Sequence, residues 1–185
     1  MSKYKEIILA VTGASGSIYA RRFIEMASAL PDLNLNVIFS DTAKEVWTYE
    51  TGMPLPENLV SNHDFNFKFC SGSAVADAVI ILPCTMGTLA RIAAGTANDV
   101  ISRVADVQMK ERRKIVIVPR ETPYSLIHLR NMTALTEAGA IICPASPSFY
   151  SRPATLSDLT DSFVARVLQT AGLCELDDKF KWNRI

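Results

Sequence analysis

The chain has 185 residues, 49% of them hydrophobic and 21% charged, and its 19 Lys and Arg balance 19 Asp and Glu. This length predicts a single domain over residues 1–185 with enough apolar side chains for a sizeable core. The zero net charge argues against a general attraction to nucleic acid or acidic membranes. No apolar run approaches the roughly 20 residues that a membrane-spanning helix needs.

Short apolar segments, several of them β-branched, alternate with helical patterns along the chain. The predicted strands are Ile7–Val11, Asn36–Ser40, Ala78–Leu82, Lys114–Val118 and Ala140–Cys143. The predicted helices are Ser17–Leu30, Thr42–Thr51, Thr88–Ala94, Asn98–Lys110, Ser125–Ala138 and Leu156–Ala171. Most of these strands are apolar on both faces, and helices separate them. They therefore predict an α/β fold, a Rossmann-like doubly wound parallel sheet with helices on both faces.

Polar or turn-forming residues follow every predicted strand, at 12–16, 40, 83–88, 119–121 and 144–150. Ligands of doubly wound sheets bind outside the carboxyl ends of the strands. One polar turn would be ordinary, but five on a single predicted edge favour a binding site.

The first of these turns, Thr12-Gly13-Ala14-Ser15-Gly16, joins a strand to a helix. Its N–H groups, hydroxyls and helix dipole suit a phosphate or another electron-rich group, although a plain strand–helix turn has the same composition. The third glycine of a dinucleotide fingerprint is missing, and Ser40 follows the second strand where an acidic residue would hold a ribose. A mononucleotide is therefore favoured over NAD.

A second polar turn, Thr85-Met86-Gly87-Thr88, precedes the helix after the third strand. It offers another cradle of N–H and hydroxyl groups, and a helix N-cap alone would explain one threonine but not the whole run. Cys84, beside it, is interpreted as a packed thiol because no histidine lies nearby in sequence.

The four cysteines form no C-x-x-C pair, and no histidine lies at metal-ligand spacing from them. Neither a metal site nor a disulfide framework is predicted. Reduced thiols are typical of the cytoplasm, which is the predicted location.

Cationic residues gather between positions 103 and 120. Arg120 follows an apolar strand and should lie at the binding edge. Arg103 and Lys110 are seven residues apart, hence on one helical face, and can hold a phosphate that departs as a leaving group. Tyr150 with Arg166 can also hold a phosphate, although such a pair is at least as often a structural hydrogen bond.

Together these motifs resemble the UbiX-type flavin prenyltransferases, formerly called aromatic acid decarboxylase subunits. The matching segments are TGASG, Ser40, SGS at 71–73, PCTMGT, SRVADVQMKERR, VPRETP, IHLRNM and the P-x-x-P-x-FY loop. The resemblance runs from Ile7 to about Leu173. It implies a flavoprotein fold without a metal, and a homo-oligomer, typically a dodecamer, whose active sites are shared between subunits.

The resemblance also implies roles for individual residues. FMN contacts fall on Gly13, Ala14, Ser15, Ser40, Thr85, Met86, Gly87, Thr88 and Arg120. Contacts to the prenyl phosphate fall on Tyr150 and Arg166, and on Arg103 and Lys110 across a subunit boundary. Glu50 and Glu121 match carboxylates near the reacting groups, Ser15 a proton-transfer serine, and Trp182 a tail tryptophan that closes over the substrate.

The implied reaction transfers a dimethylallyl group from dimethylallyl phosphate to N5 and C6 of reduced FMN. The product, prenylated FMN, serves a UbiD-type decarboxylase. We expect Ser15 with Glu121 to relay the proton, and Trp47, Met86 and Trp182 to wall a dry pocket. Whether the donor is the monophosphate or the diphosphate stays open, as does the pathway that the product serves.

Three other functions are weighed against this one. An FMN-binding decarboxylase of the phosphopantothenoylcysteine decarboxylase type would carry an early active-site histidine and a P-x-M/A-N-x-x-M stretch, and the sequence has neither. A non-enzymatic flavodoxin-like carrier would usually be strongly acidic. Direct decarboxylation of an aromatic acid by this chain alone is the third alternative.

Overall fold

The computed structural model describes residues 5–181, which contain six strands and six helices. The strands are β1 Lys5–Val11, β2 Leu33–Phe39, β3 Val60–Ser61, β4 Ala78–Cys84, β5 Lys114–Pro119 and β6 Ile141–Ile142. The helices are α1 Ser17–Ser28, α2 Asp41–Thr51, α3 Met86–Ala93, α4 Val100–Lys110, α5 Leu126–Glu137 and α6 Leu156–Ala171. Two short 3₁₀ turns lie at Lys68–Cys70 and Asp178–Phe180.

The strands form one parallel sheet in the order β3-β2-β1-β4-β5-β6. The chain builds outward from β1 in one direction and from β4 in the other, so the switch point lies between the carboxyl ends of these two strands. Ligands of doubly wound sheets bind at such a point. The sheet confirms the predicted α/β fold.

Both faces of the sheet are covered, as the apolar strands predict. Along β1, Ile7 and Leu9 are fully buried in a cluster that includes residues of α1 and α6. Ile8 and Ala10 alternate with them and pack in a second cluster with residues of α3, α4 and α5. Side chains that alternate between two buried clusters give a strand with no polar face.

Some element boundaries differ from the sequence prediction for local reasons. Helix α3 begins at Met86 instead of Thr88, because the hydroxyl of Thr85 accepts the Thr88 amide at 3.1 Å and so caps the helix. Strand β3 is only two residues long, too short for a periodic signal. Helix α6 has the predicted bounds.

Residues 5–181 show neither a membrane-spanning helix nor a cluster of metal ligands. No helix there combines the length and the apolar character of a membrane span. No group of three or more His, Cys, Asp or Glu side chains there could hold a metal ion.

Candidate functional site

Thr12 joins the two turns at the switch point. It is 2% exposed, its hydroxyl donates to the carbonyl of Pro83 at 2.9 Å, and its oxygen accepts the amide of Thr85 at 2.7 Å. The turn after β1 and the turn after β4 are therefore fixed to each other, as a shared binding edge requires.

The N-terminus of α1 is occupied by a side chain of the protein itself. The carboxylate of Glu50, at the end of α2, accepts the amide of Gly16 at 3.0 Å and that of Ser17 at 2.7 Å. The Ser15 hydroxyl lies near the same carboxylate and favours its ionised form. Burial raises the pKa of Glu50, but these hydrogen bonds outweigh it and hold the pKa below its ordinary value. An external phosphate at this helix start would meet a like charge.

Arg120 lies at the edge where the sequence places it. Its Nε donates to the carbonyl of Ser15 at 2.8 Å, and its amide donates to the carbonyl of Cys84 at 3.3 Å. Arg120 therefore bridges the ends of β5 and β4 and the turn after β1, and it holds the backbone of Ser15 in place.

Gly13 is needed because α2 passes close to it. A Cβ at Gly13 would lie 2.5 Å from Cγ2 of Thr42, in the first turn of α2. Ser40 caps that helix: its oxygen accepts the Ala43 amide at 3.2 Å, and its own amide donates to Val11 at 3.0 Å. The predicted contacts Gly13, Ala14 and Ser40 are therefore neighbours at the ends of β1 and β2.

Hydroxyls close the start of α3, and no carboxylate of residues 5–181 bonds to its first amides. Thr85 Oγ1 donates to Thr88 Oγ1 at 3.0 Å. The amides of Met86 and Gly87 precede the first backbone bond of the helix, Leu89 to Thr85, so they have no intrahelical partner. A Cβ at Gly87 would meet nothing closer than Nη1 of Arg91, at 3.9 Å. This open, donor-rich turn fits the phosphate of FMN.

A cavity of about 390 Å³ lies beside Arg120, bordered by Glu121, Thr122, Tyr124 and Ser146 among others. The Glu121 carboxylate accepts the amide of its neighbour Thr122 at 2.9 Å. The relay from Ser15 to Glu121 stays a prediction, and Glu50 is a second carboxylate beside the Ser15 hydroxyl, which lowers the pKa of Glu50. Nothing in the sequence links residues 15 and 50, which meet only when α2 packs beside α1.

Arg103 and Lys110 both lie on α4, Arg103 near its start and Lys110 at its end. Helix α4 leads into the start of β5, so Lys110 lies at the amino edge of the sheet, opposite Arg120. Arg103 Nε donates to the carbonyl of Cys70 at 3.0 Å, and Lys110 pairs with Glu111 close against Gly72. The contacts described for these two cations are therefore with residues 70, 72, 106 and 111 and not with the strand-end turns.

Tyr150 and Arg166 lie on the β6 side of the molecule. Tyr150 is 65% exposed in the loop between β6 and α6. Arg166 is exposed on α6 and donates to Oε1 of Gln169. Burial raises the pKa of the Cys143 thiol, and the charge of Arg166 opposes that rise, which places Arg166 near the end of β6. Trp182 lies outside the described residues.

The expected apolar walls are wrong for two residues. Trp47 is 3% exposed, packs edge-on to Phe39, and donates its indole N–H to Pro54 at 3.0 Å. Met86 is 7% exposed and belongs to the cluster on the other face of the sheet. Both side chains are core residues, because each points inward from the first or middle turns of its helix.

Cys84 is confirmed as a packed thiol. It is fully buried, and burial raises its pKa to about 12 although the charge of Arg91 opposes the rise. A thiol with this pKa is protonated at neutral pH and is a poor nucleophile. Arg91 itself, which pairs with Asp99 at 3.4 Å, is absent from the predicted site. The sequence does contain a signal for Arg91, because a residue three positions after Thr88 lies on the same face of a helix.

Comparison with known proteins agrees with this geometry. The model of the family described as Flavoprotein matches residues 1–168. A flavin prenyltransferase UbiX from Methanothermobacter thermautotrophicus is 41% identical over 179 residues, covering 94% of this chain and 93% of that protein.

Two solved structures are also similar. AnUbiX (PadA1), crystallised with FMN and dimethylallyl pyrophosphate, has a TM-score of 0.89 and 36% identity over 98% of this chain and 99% of its own. A dodecameric FMN-dependent UbiX-like decarboxylase from Escherichia coli O157:H7 has a TM-score of 0.87 and 37% identity over 91% and 94% of the two chains.

Proposed function

This chain belongs to the Flavoprotein family and, within it, to the UbiX-type flavin prenyltransferases, and from that premise we propose that it transfers a dimethylallyl group to reduced FMN. The product is prenylated FMN, for use by a UbiD-type decarboxylase. The observation that carries the proposal is the contact of Arg120 with Ser15 at 2.8 Å. It gathers the ends of β1, β4 and β5 at one edge, where Thr85–Thr88 leave donors for a phosphate.

The residues at this edge would bind the flavin and orient it. The open turn at Thr85–Thr88 suits its phosphate, and the turn at Gly13–Ser15 with Arg120 lies beside it at the switch point. Bound reduced FMN supplies the ring atoms that accept the allyl group. Gly13, Ala14 and Ser40 line the same edge at the ends of β1 and β2.

Proton transfer is assigned to Ser15 and Glu50. Glu50 is ionised at neutral pH, so its carboxylate can accept a proton, and its lowered pKa makes that proton easy to pass on. The Ser15 oxygen can take a proton from the acceptor while its own hydrogen passes to Glu50. Glu121, bordering the neighbouring cavity, is a further carboxylate for the donor side.

Departure of phosphate from the allyl group needs positive charge and hydrogen-bond donors. Tyr150 and Arg166 supply them from one chain. Because Lys110 lies at the opposite edge and Arg103 precedes it on the same helix, the two would serve the site of a neighbouring copy. The need for a second copy supports a homo-oligomer, and we take the dodecamer of the Escherichia coli relative as its expected form.

The cellular setting follows from the same proposal. All four cysteines are free thiols, which suits a reducing cytoplasm. There the UbiD-type partner would receive the product. The pathway is set by that partner and not by residues of this chain.

The test combines the full chain with reduced FMN and dimethylallyl phosphate without oxygen. Mass spectrometry should find a flavin heavier by one five-carbon unit, and the diphosphate in a parallel reaction identifies the preferred donor. A flavin of unchanged mass with both donors would refute the proposal. Release of carbon dioxide from an aromatic acid, with FMN and no partner protein, would favour direct decarboxylation instead.

The variant Lys110→Ala tests the shared site in the same assay. It should bind FMN as the unaltered chain does but lose turnover about a hundredfold, because one charged contact to the leaving group is gone. Lys68→Ala is the matched control, since Lys68 lies at the same edge and also pairs with a carboxylate, that of Glu6 at 3.0 Å. Unchanged turnover in Lys110→Ala would remove Lys110 from the mechanism.

A further inference from the structure

Arg91 stands directly behind the turn that suits the FMN phosphate. It lies on α3, one turn after Thr88, and its Nη2 donates to the Thr88 hydroxyl oxygen at 3.2 Å. The same Nη2 is 3.4 Å from Oδ2 of Asp99, which caps α4. The guanidinium is therefore held between α3 and the start of α4, with 39% of its side chain exposed.

The hydrogen bonds around Thr88 decide which way its hydroxyl points. Its oxygen accepts one bond from the Thr85 hydroxyl at 3.0 Å and one from Arg91 at 3.2 Å. A threonine hydroxyl has two acceptor positions and one donor. Both acceptor positions are filled, and within residues 5–181 no acceptor takes the hydrogen of Thr88. Thr88 is 3% exposed, so a buried O–H donor remains for a ligand.

The charge of Arg91 lies beside the same turn. Nη1 is the nearest atom to a Cβ built on Gly87, at 3.9 Å. Nε is buried, and no hydrogen-bond partner for it lies within the described part of the chain. The charge also reaches Cys84, the residue before the turn, whose thiolate it favours.

Asp99 neutralises this charge only in part. Its Oδ1 is already engaged by the amide of Ser102 at 2.8 Å and the hydroxyl of Ser102 at 2.7 Å. Only Oδ2 faces Arg91, at a distance longer than a good charged hydrogen bond. The turn therefore has a free hydroxyl donor, open amides and an incompletely paired cation, which together favour a dianion.

We infer that Arg91 is a positioning residue for the FMN phosphate, which it favours both by orienting the Thr88 hydroxyl and by its own charge. It thereby makes the site select FMN over riboflavin, the same ring system without phosphate. This inference rests on the proposed function, because it assumes that FMN is the flavin that binds.

The test measures the dissociation constants of FMN and riboflavin by flavin fluorescence, with the flavin-free full chain as it assembles in solution. Arg91→Met should weaken FMN binding about tenfold to a hundredfold, the range for a hydrogen bond to a charged group, and leave riboflavin binding unchanged. Arg91→Lys keeps the charge, so its affinity for FMN should lie between those of the unaltered chain and Arg91→Met. Arg21→Met is the matched control, because the buried Nε of Arg21, on α1, also lacks a hydrogen bond within the described residues and forms only a long ion pair, with Glu25 at 3.5 Å.

A further measurement needs no substitution. Added salt should weaken FMN binding to the unaltered chain more than riboflavin binding. Salt screens the attraction between Arg91 and the phosphate, which riboflavin lacks. In Arg91→Met this excess salt dependence should shrink, whereas a merely structural role would not change it.

The outcomes separate the two claims. If the unaltered chain binds neither flavin, the proposed function fails and this inference fails with it. If it binds FMN but Arg91→Met binds FMN equally well, or loses both flavins to the same extent, only the role of Arg91 is overturned. If Arg91→Met does not fold, Arg91→Lys with an unchanged ratio of FMN to riboflavin affinity and an equal salt dependence of both flavins would overturn it.

Discussion

Helices α1 and α3 start at the same edge of the sheet, one after β1 and the other after β4, but the side chains beside the two helix starts differ in charge. The start of α1 is closed by the carboxylate of Glu50 at 2.7 Å from the Ser17 amide. The start of α3 is capped by the neutral hydroxyl of Thr85 and backed by the cation Arg91. A glycine- and serine-rich turn before a helix is therefore not enough to bind an external anion. Whether such a turn can bind an anion depends on the charge of the side chain that tertiary packing places beside it.

The largest effect should come from removing the charge at α1. In Glu50→Gln the amide side chain can still accept hydrogen bonds but is a far weaker base, so prenylation should slow about 10²- to 10⁴-fold. FMN affinity should stay close to that of the unaltered chain, because we propose that the FMN phosphate binds at the start of α3 and not of α1. Turnover is followed by mass spectrometry of the flavin and affinity by fluorescence.

Glu45→Gln is the control for this variant, since Glu45 is an exposed carboxylate on the same helix. It should leave both quantities unchanged. The opposite result would be a strong loss of FMN binding in Glu50→Gln with little change in rate once FMN is saturating. It would mean that the start of α1, and not that of α3, binds the FMN phosphate.

The next effect concerns α3. Thr88→Val keeps the buried volume but removes the hydroxyl, so FMN binding should weaken about tenfold while riboflavin binding stays the same. Thr133→Val is the matched control, because the Thr133 hydroxyl bonds only within α5, to Leu129 at 3.0 Å. Equal losses for both flavins would indicate a general disturbance of α3 and not the loss of a phosphate contact.

The sheet and its functional edge could be predicted because they depend on local patterns. Strands apolar on both faces indicate a parallel sheet, and the carboxyl end of an apolar strand is enough to place Arg120. Helix α6 is predicted residue for residue, since Thr155 and Asp158 form a capping box and Gly172 ends the helix in the left-handed conformation.

The contacts that distinguish the two helix starts could not be predicted. Ser15 and Glu50 lie on different elements, and Glu121 is an equally plausible partner until α2 is seen to pack beside α1. The sequence around Trp47 is the same whether this face of α2 packs in the core or lines a pocket. In both cases the deciding information is the orientation of a helix on the sheet.

A smaller effect tests whether α1 can be converted into an anion site. Glu50→Ala leaves the amides of Gly16 and Ser17 without their carboxylate, which should lower the free energy of unfolding by about 1–2 kcal/mol. Added phosphate should then bind the vacated helix start and raise the melting temperature of Glu50→Ala. The unaltered chain should not respond. Both proteins are saturated with FMN so that the turn of α3 is filled, and equal responses would contradict the comparison.

The smallest effect is the pH dependence that Glu50 gives to stability. Burial raises the pKa of Glu50, but bonds from Ser15, Gly16 and Ser17 outweigh it, so the folded pKa lies below the ordinary 4.5. A lowered folded pKa contributes stability that is fully present above the unfolded pKa and is lost as the pH falls through the folded value. From about pH 5 downward, the free energy of unfolding of the unaltered chain should therefore fall more steeply than that of Glu50→Gln, and the gap between them should narrow. Chemical denaturation of both proteins across this range measures it. Because the other carboxylates are common to both proteins, two parallel curves would mean that α1 gains nothing from the charge of Glu50, and the contrast with α3 would then rest on hydrogen bonding alone.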